Sequence, residues 1–303
     1  MKFVTFTSDA KSRPGLWLDH DRVLDLGAAA AKADARLDAS SLLAIIRGGA
    51  PALAVARALG EQAAQFAAAI HPLADVKLEA PIPQPARNVF CVGRNYLDHV
   101  AEGARALGLQ SALPKVPQFF TKATHAVIGP DTAVRLDAKV SPKLDYEVEL
   151  GVVIGKTGRD IAPEAVFEHI FGYTIVNDVS ARDLQRMHEQ WFKGKSLDTC
   201  CPMGPCIVER DEIGDPSALE LSITINGEER QRARVSQMIF DIARIVSDLS
   251  AGMTLEAGDV IATGTPSGVG FAMEPPKFLK DGDVMVCTIS KIGSLRNTVL
   301  AVR

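Results

Sequence analysis

The chain has 303 residues, 47% of them hydrophobic and 23% charged, with a formal net charge of −4. Such a composition supplies a sizeable apolar core and excludes disorder for most of the length. Mild acidity argues against sequence-independent nucleic-acid binding, which works by neutralising phosphates, and no apolar run approaches the ~20 residues that span a bilayer.

In chain order, Lys2–Phe6 and Gly15–Leu24 read as short strands. Residues 28–70 are alanine-rich and helical in character, with apolar stretches at Leu42–Ile46 and Ala52–Ile70. Gly48, Gly49 and Pro51 between them fit a helix stop and restart. Pro81-Ile82-Pro83-Gln84-Pro85 is a natural linker, because each proline fixes its own φ and pushes its predecessor extended. A small N-terminal α+β domain over residues 1–75 and a larger domain over 76–303 are therefore expected. In the larger part, strands are expected at Asn88–Gly93, Gln118–Lys122, Tyr146–Ile154, Gly172–Asn177, Ser222–Ile225, Val260–Thr263 and Val284–Ile289. Asn226-Gly227 signals a type I′ hairpin. One helix is expected over Ser236–Ser250, with Ile239, Ile242, Ile245, Val246 and Leu249 at the helical period and Gly252 capping its end. Strands outnumber helices and do not alternate with them, which predicts an α+β, mainly-β roll rather than a doubly wound sheet.

Met1–Ser8 lacks the long apolar core of a signal peptide. Five cysteines, an odd number spread over a long chain, argue against a disulfide framework and for reduced thiols in a cytoplasm. Cys200, Cys201 and Cys206 cluster without a CxxC pair, so packing is expected there rather than zinc binding.

Chemistry-bearing residues concentrate in a few stretches. In Leu144-Asp145-Tyr146-Glu147-Val148-Glu149-Leu150 a strand would project Glu147 and Glu149 from one face. Two carboxylates side by side repel, and a hard divalent cation relieves that repulsion; a solvent-facing strand edge carries the same alternation. Val176-Asn177-Asp178 puts a carboxylate at a strand end, where an Asx turn is equally at home. Three carboxylates on Mg²⁺ or Mn²⁺ leave about three of six octahedral positions for substrate oxygens and water. In Asn95-Tyr96-Leu97-Asp98-His99-Val100-Ala101-Glu102, helical i, i+3 spacing would set Glu102 beside His99, as in a general base oriented by a carboxylate or in an ordinary surface pair. Lys193 and Lys195 lie near aromatics, where a lysine can stabilise an enolate or bind a carboxylate or else be solvated surface charge, the last reading fitting Lys193 better. The loop Ala262-Thr263-Gly264-Thr265-Pro266-Ser267-Gly268 follows a strand but lacks the ending of a phosphate-binding P-loop, which leaves amides and threonine hydroxyls for a small anion.

The order of these stretches, from Val92-Gly93-Arg94-Asn95-Tyr96 through Phe120-Thr121-Lys122, Asp145–Leu150, Gly172–Asp183 and Lys193–Asp198 to Gly258–Gly270, resembles the fumarylacetoacetate hydrolase family over roughly residues 85–300. The resemblance implies a mixed β-sandwich roll, a homodimer, and one Mg²⁺ or Mn²⁺ per subunit on Glu147, Glu149 and Asp178. It places the catalytic dyad on His99 and Glu102 and the active-site lysine on Lys195. Substrate contacts fall on Gln185, Thr265, Gly264 and Tyr96, with Arg94 at a position that varies among members and so bears on specificity. The expected activity is hydrolysis of an acylpyruvate, of the fumarylpyruvate or maleylpyruvate type, to pyruvate and a carboxylic acid. Alternatives are oxaloacetate decarboxylation, isomerisation of 2-hydroxymuconate-type dienols, cleavage of diketo-deoxy sugar acids, or keto-acid binding without catalysis. No nucleic-acid or membrane partner is expected.

Overall fold

The computed structural model describes residues 1–19 and 21–302. Residue 20, inside the expected Gly15–Leu24 strand, lies outside the described residues. The chain there forms two strands, Lys11–Asp19 and Arg22–Asp25, paired antiparallel with Asp19 opposite Arg22.

A twelve-stranded mixed sheet organises the molecule. Ten strands form its path, Ile70–Pro72, Arg22–Asp25, Lys11–Asp19, Lys2–Ser8, Cys201–Glu209, Ile170–Asn177, Val148–Ile154, Val260–Ala262, Val89–Gly93 and Gln118–Lys122, and two more pair off it, Lys77–Leu78 on Lys2–Ser8 and Val127–Ile128 on Cys201–Glu209. The pairing of Lys2 with Val208 and Phe3 with Ile207 carries the sheet without a break from the N-terminal segment into the rest. A five-stranded sheet of Glu228–Arg234, Glu220–Ile225, Val284–Ile289, Gly293–Ala301 and Val134–Leu136 packs on one face. The architecture is α+β, a mixed-sheet sandwich roll. Among the described residues no helix is long and apolar enough to cross a membrane.

Every residue of Val148–Ile154 is buried, and the period of two sorts them. Val148, Leu150 and Val152 pack against Leu221, Ile223 and Met285 of the second sheet, while Val153 joins Val176 and Ile207 beneath the N-terminal helices. Each such aliphatic side chain contributes about 1.5–3 kcal/mol on burial. Glu149 shares the face of Val153, which turns it away from the second sheet.

Some expected elements shift for tertiary reasons. The expected Ser236–Ser250 helix starts at Ile242 behind the N-cap Asp241. Upstream, the Asn95 side chain holds the Phe240 amide and carbonyl, and the Ile239 amide donates to the Asn95 carbonyl, so these groups cannot join a helix. The Ala52–Ile70 stretch is a helix over Gly49–Glu61 followed by a 3₁₀ segment, Ala63–Ala69, with Phe66 outside helical geometry. Several strands carried no sequence signal, the two longest being Cys201–Glu209 and Gly293–Ala301. Cys201–Glu209 contains Pro202 and Pro205, and its register against Ile170–Asn177 slips around them; Gly293–Ala301 alternates only weakly. The Asn226-Gly227 turn has positive φ at both residues (52° and 82°), as a type I′ hairpin requires. All five cysteines are free and buried.

Candidate active site

Strand register builds the acidic centre. Val148 pairs with Asn177, so Glu147, one residue before its strand, faces Asp178, one residue past the neighbouring strand, and the Asp178 amide donates to the Glu147 carbonyl at 2.8 Å. Oxygens of Glu147, Glu149 and Asp178 lie within 4.8 Å of one another. With exposures of 4%, 1% and 0%, these are not solvent-facing strand-edge residues.

Cations surround two of the three. Lys195 Nζ donates to Glu147 Oε2 (2.8 Å) and Asp178 Oδ2 (2.5 Å). Lys122 Nζ donates to Asp178 Oδ1 (2.6 Å) and the Val179 carbonyl (3.0 Å). Arg182 lies 2.7 Å from Glu147 Oε1 and donates to Asp145 Oδ2 and Gln185 Oε1. Burial alone would raise the Glu147 carboxyl, but Lys195 and Arg182 outweigh it and hold it well below the usual carboxylate range. Glu149 has no such partner. It accepts one hydrogen bond, from the Gly264 amide at 2.8 Å, and burial together with the Asp178 and Glu147 charges pushes its carboxyl well above its ordinary value. A buried, mutually repelling set of hard oxygen donors with one carboxylate lacking a counter-charge fits a divalent cation.

His99 and Glu102 lie on the helix Leu97–Ala106, and His99 Nδ1 is 2.9 Å from Glu102 Oε1. The other oxygen of Glu102 accepts the Gly268 amide at 2.9 Å, which ties the pair to the Gly264–Gly268 loop. Gly268 has φ +106°, and a Cβ there would sit 1.9 Å from the Arg230 carbonyl. Gly268→Ala should therefore displace the loop, free Glu102 and lower kcat with little change in metal affinity; unchanged kcat would show that the loop does not hold the pair.

His99, Glu147, Glu149 and Lys195 line one cavity of about 430 Å³, together with Gln185 and Thr265. Thr265 is held from behind: its hydroxyl donates to the Val148 carbonyl and accepts from Gln231 Nε2. Arg94 also lines the cavity, with φ 57° and a bond to the Ala112 carbonyl. Gly264 acts through its amide on Glu149, at φ +101°, behind the wall. Tyr96 is 3% exposed, off the cavity wall, and its hydroxyl has no hydrogen-bond partner among the described residues.

Sequence reasoning assigned no role to Lys122, Arg182 or Asp145, although each stands in a stretch quoted above. Only burial among carboxylates marks them. Asp145, fully buried, accepts the Tyr146, Gly270 and Phe271 amides and Arg182 Nε. Asp145→Ala takes one of the two carboxylates from a buried guanidinium and leaves three backbone amides without their acceptor, and should cost about 3–5 kcal/mol in urea unfolding. A loss below about 1 kcal/mol, the worth of one ordinary hydrogen bond, would contradict that account.

The sequence model of the fumarylacetoacetate (FAA) hydrolase C-terminal domain matches residues 88–300. The chain is 45% identical over 304 residues to the oxaloacetate tautomerase YisK of Bacillus subtilis (strain 168), covering 99% of this chain and 100% of that protein. It is 40% identical over 228 residues to the mitochondrial oxaloacetate tautomerase fahd2 of Xenopus laevis, covering 75% and 69%. Among solved structures, a fumarylacetoacetate hydrolase from psychrophilic Exiguobacterium antarcticum matches with TM-score 0.81 at 42% identity, over 100% of both chains. The maleylpyruvate hydrolase from Sphingobium sp. SYK-6, in complex with manganese(II) and pyruvate, matches with TM-score 0.78 at 30% identity, over 100% of both chains. The chain belongs to the fumarylacetoacetate hydrolase family.

Proposed function

We propose that this enzyme interconverts the enol and keto forms of oxaloacetate. The observation that carries the reading is that His99, braced by Glu102, shares one cavity wall with Glu147 and Glu149, two of the three carboxylates of the acidic cluster. The choice of oxaloacetate is supported by the full-length likeness to an oxaloacetate tautomerase.

A divalent cation on Glu147, Glu149 and Asp178 would supply Lewis-acid polarisation of the substrate's carboxylate and 2-oxo oxygens. Glu102 accepts the Nδ1 proton of His99 and leaves Nε2 as the base. His99 takes a proton from C3; the C–H electron pair becomes the C2–C3 double bond, the C2 oxygen receives the displaced carbonyl pair, and the imidazolium gives up its proton through solvent as that oxygen is protonated, which regenerates the base. Lys195 stabilises the charge developing on that oxygen more than it stabilises the neutral ketone, which lowers the barrier. In the reverse direction His99 returns the proton to C3. No water is consumed and no carbon–carbon bond breaks.

A second reading is hydrolysis of an acylpyruvate such as maleylpyruvate, with His99 deprotonating water. It is favoured by the apolar wall of Val100, Ala104, Leu107, Leu109 and Phe271, which leaves more room than a four-carbon acid fills. Enol oxaloacetate and maleylpyruvate absorb in the ultraviolet, so decay of each chromophore with Mg²⁺- or Mn²⁺-loaded and metal-stripped protein, alongside a pyruvate assay, separates the two. Metal-dependent loss of enol absorbance without pyruvate supports tautomerisation. Equimolar pyruvate from maleylpyruvate, with no acceleration on oxaloacetate, replaces it with hydrolysis. The homodimer belongs to the same proposal, and a monomeric mass in light scattering would remove it.

A further inference from the structure

The helix Arg182–Met187 sets Arg182, Gln185 and Arg186 on one face, all three lining the cavity. Arg182 is consumed by the acidic centre: it bonds Asp145, contacts Glu147 and donates to Gln185. Arg186, four residues (about 6 Å of rise) along the helix from Arg182, has no hydrogen bond or ion pair among the described residues. Its guanidinium is held instead against the Phe271 ring, 5.5 Å from the centroid, while Arg182 lies 4.5 Å from the same centroid. The aromatic ring thus orients a guanidinium whose donors remain free. Arg94 is a second guanidinium on this wall without a carboxylate partner, and Glu189, also on the wall, forms an ion pair with neither.

We infer that Arg186 is the specificity-determining residue of this cavity and receives the distal carboxylate of a four-carbon 2-oxo diacid whose other end lies at the acidic centre. The inference rests on the oxaloacetate reading and deepens it. The backbone positions of Arg182, engaged with Glu147, and of Arg186, with free donors, are about one helical turn apart, and both guanidinium groups lie on the Phe271 ring, while a four-carbon diacid separates its carboxylates by two carbons. A substrate with a methyl group in place of that carboxylate leaves Arg186 unanswered, so discrimination follows from a charge-assisted hydrogen bond present for one ligand and missing for the other.

The test uses Mg²⁺-loaded full-length protein and two stable 2-hydroxy acids of equal carbon count, malate and 2-hydroxybutanoate, titrated calorimetrically. The native protein should bind malate about 10- to 100-fold more tightly. Arg186→Gln should abolish that preference while leaving 2-hydroxybutanoate affinity unchanged, and Arg186→Lys should restore part of it. With enol oxaloacetate, Arg186→Gln should raise KM far more than it lowers kcat. No malate preference in the native protein, or a preference that survives in Arg186→Gln, overturns the assignment. If the native protein fails to tautomerise oxaloacetate but loses its malate preference in the variant, the oxaloacetate reading falls and the Arg186 assignment stands.

Discussion

Glu149→Gln should make the metal-free protein more stable while weakening divalent binding at least about 100-fold and stopping turnover. The opposed signs follow from the charge inventory. Asp178 is gripped by Lys122 and Lys195, and Glu147 by Lys195 and Arg182, whereas Glu149 has one amide donor and two neighbouring carboxylates. An amide of the same shape still accepts the Gly264 hydrogen bond and removes the repulsion, so unfolding of the metal-free variant should require about 1–3 kcal/mol more than that of the native protein. The cation, however, loses the one ligand without a competing counter-charge. Urea unfolding of metal-stripped protein and calorimetric titration with Mn²⁺ give the two numbers. A metal-free variant less stable than the native protein would mean that Glu149 is not a repelled carboxylate. Unchanged Mn²⁺ affinity would remove it from the cation site.

His99→Ala should lower kcat by about 10²–10⁴-fold, the worth of a positioned general base. Mn²⁺ affinity should stay near the native value, because the imidazole is paired with Glu102 rather than with the acidic cluster. Glu102→Gln should cost less: the amide oxygen still accepts from Nδ1, but the negative charge that stabilises the imidazolium is gone. A His99→Ala variant at native kcat would remove the base, and the proposed proton transfer with it. A parallel fall in Mn²⁺ affinity would assign His99 to the cation site instead.

The residues of this centre were legible before the fold because their chemistry depends on short spacings. A period of two puts Glu147 and Glu149 on one face, a helical i, i+3 step sets His99 beside Glu102, and a carboxylate at a strand end marks Asp178. The helix start at Ile242 was not legible, since it is displaced by hydrogen bonds from Asn95, 145 positions away from Phe240. Nor was the strand Cys201–Glu209, whose prolines read as breaks until a slipped register against Ile170–Asn177 accommodates them. Local periodicity and motif order therefore carried the α+β class, the acidic trio and the dyad. The antiparallel register that sets Glu147 against Asp178, the burial that leaves Glu149 without a cation, and the turn of helix that aims Arg186 along Phe271 are long-range facts. They depend on which distant segments share a dry interior, and in that low-dielectric setting each pairing of charges decides what the site can bind.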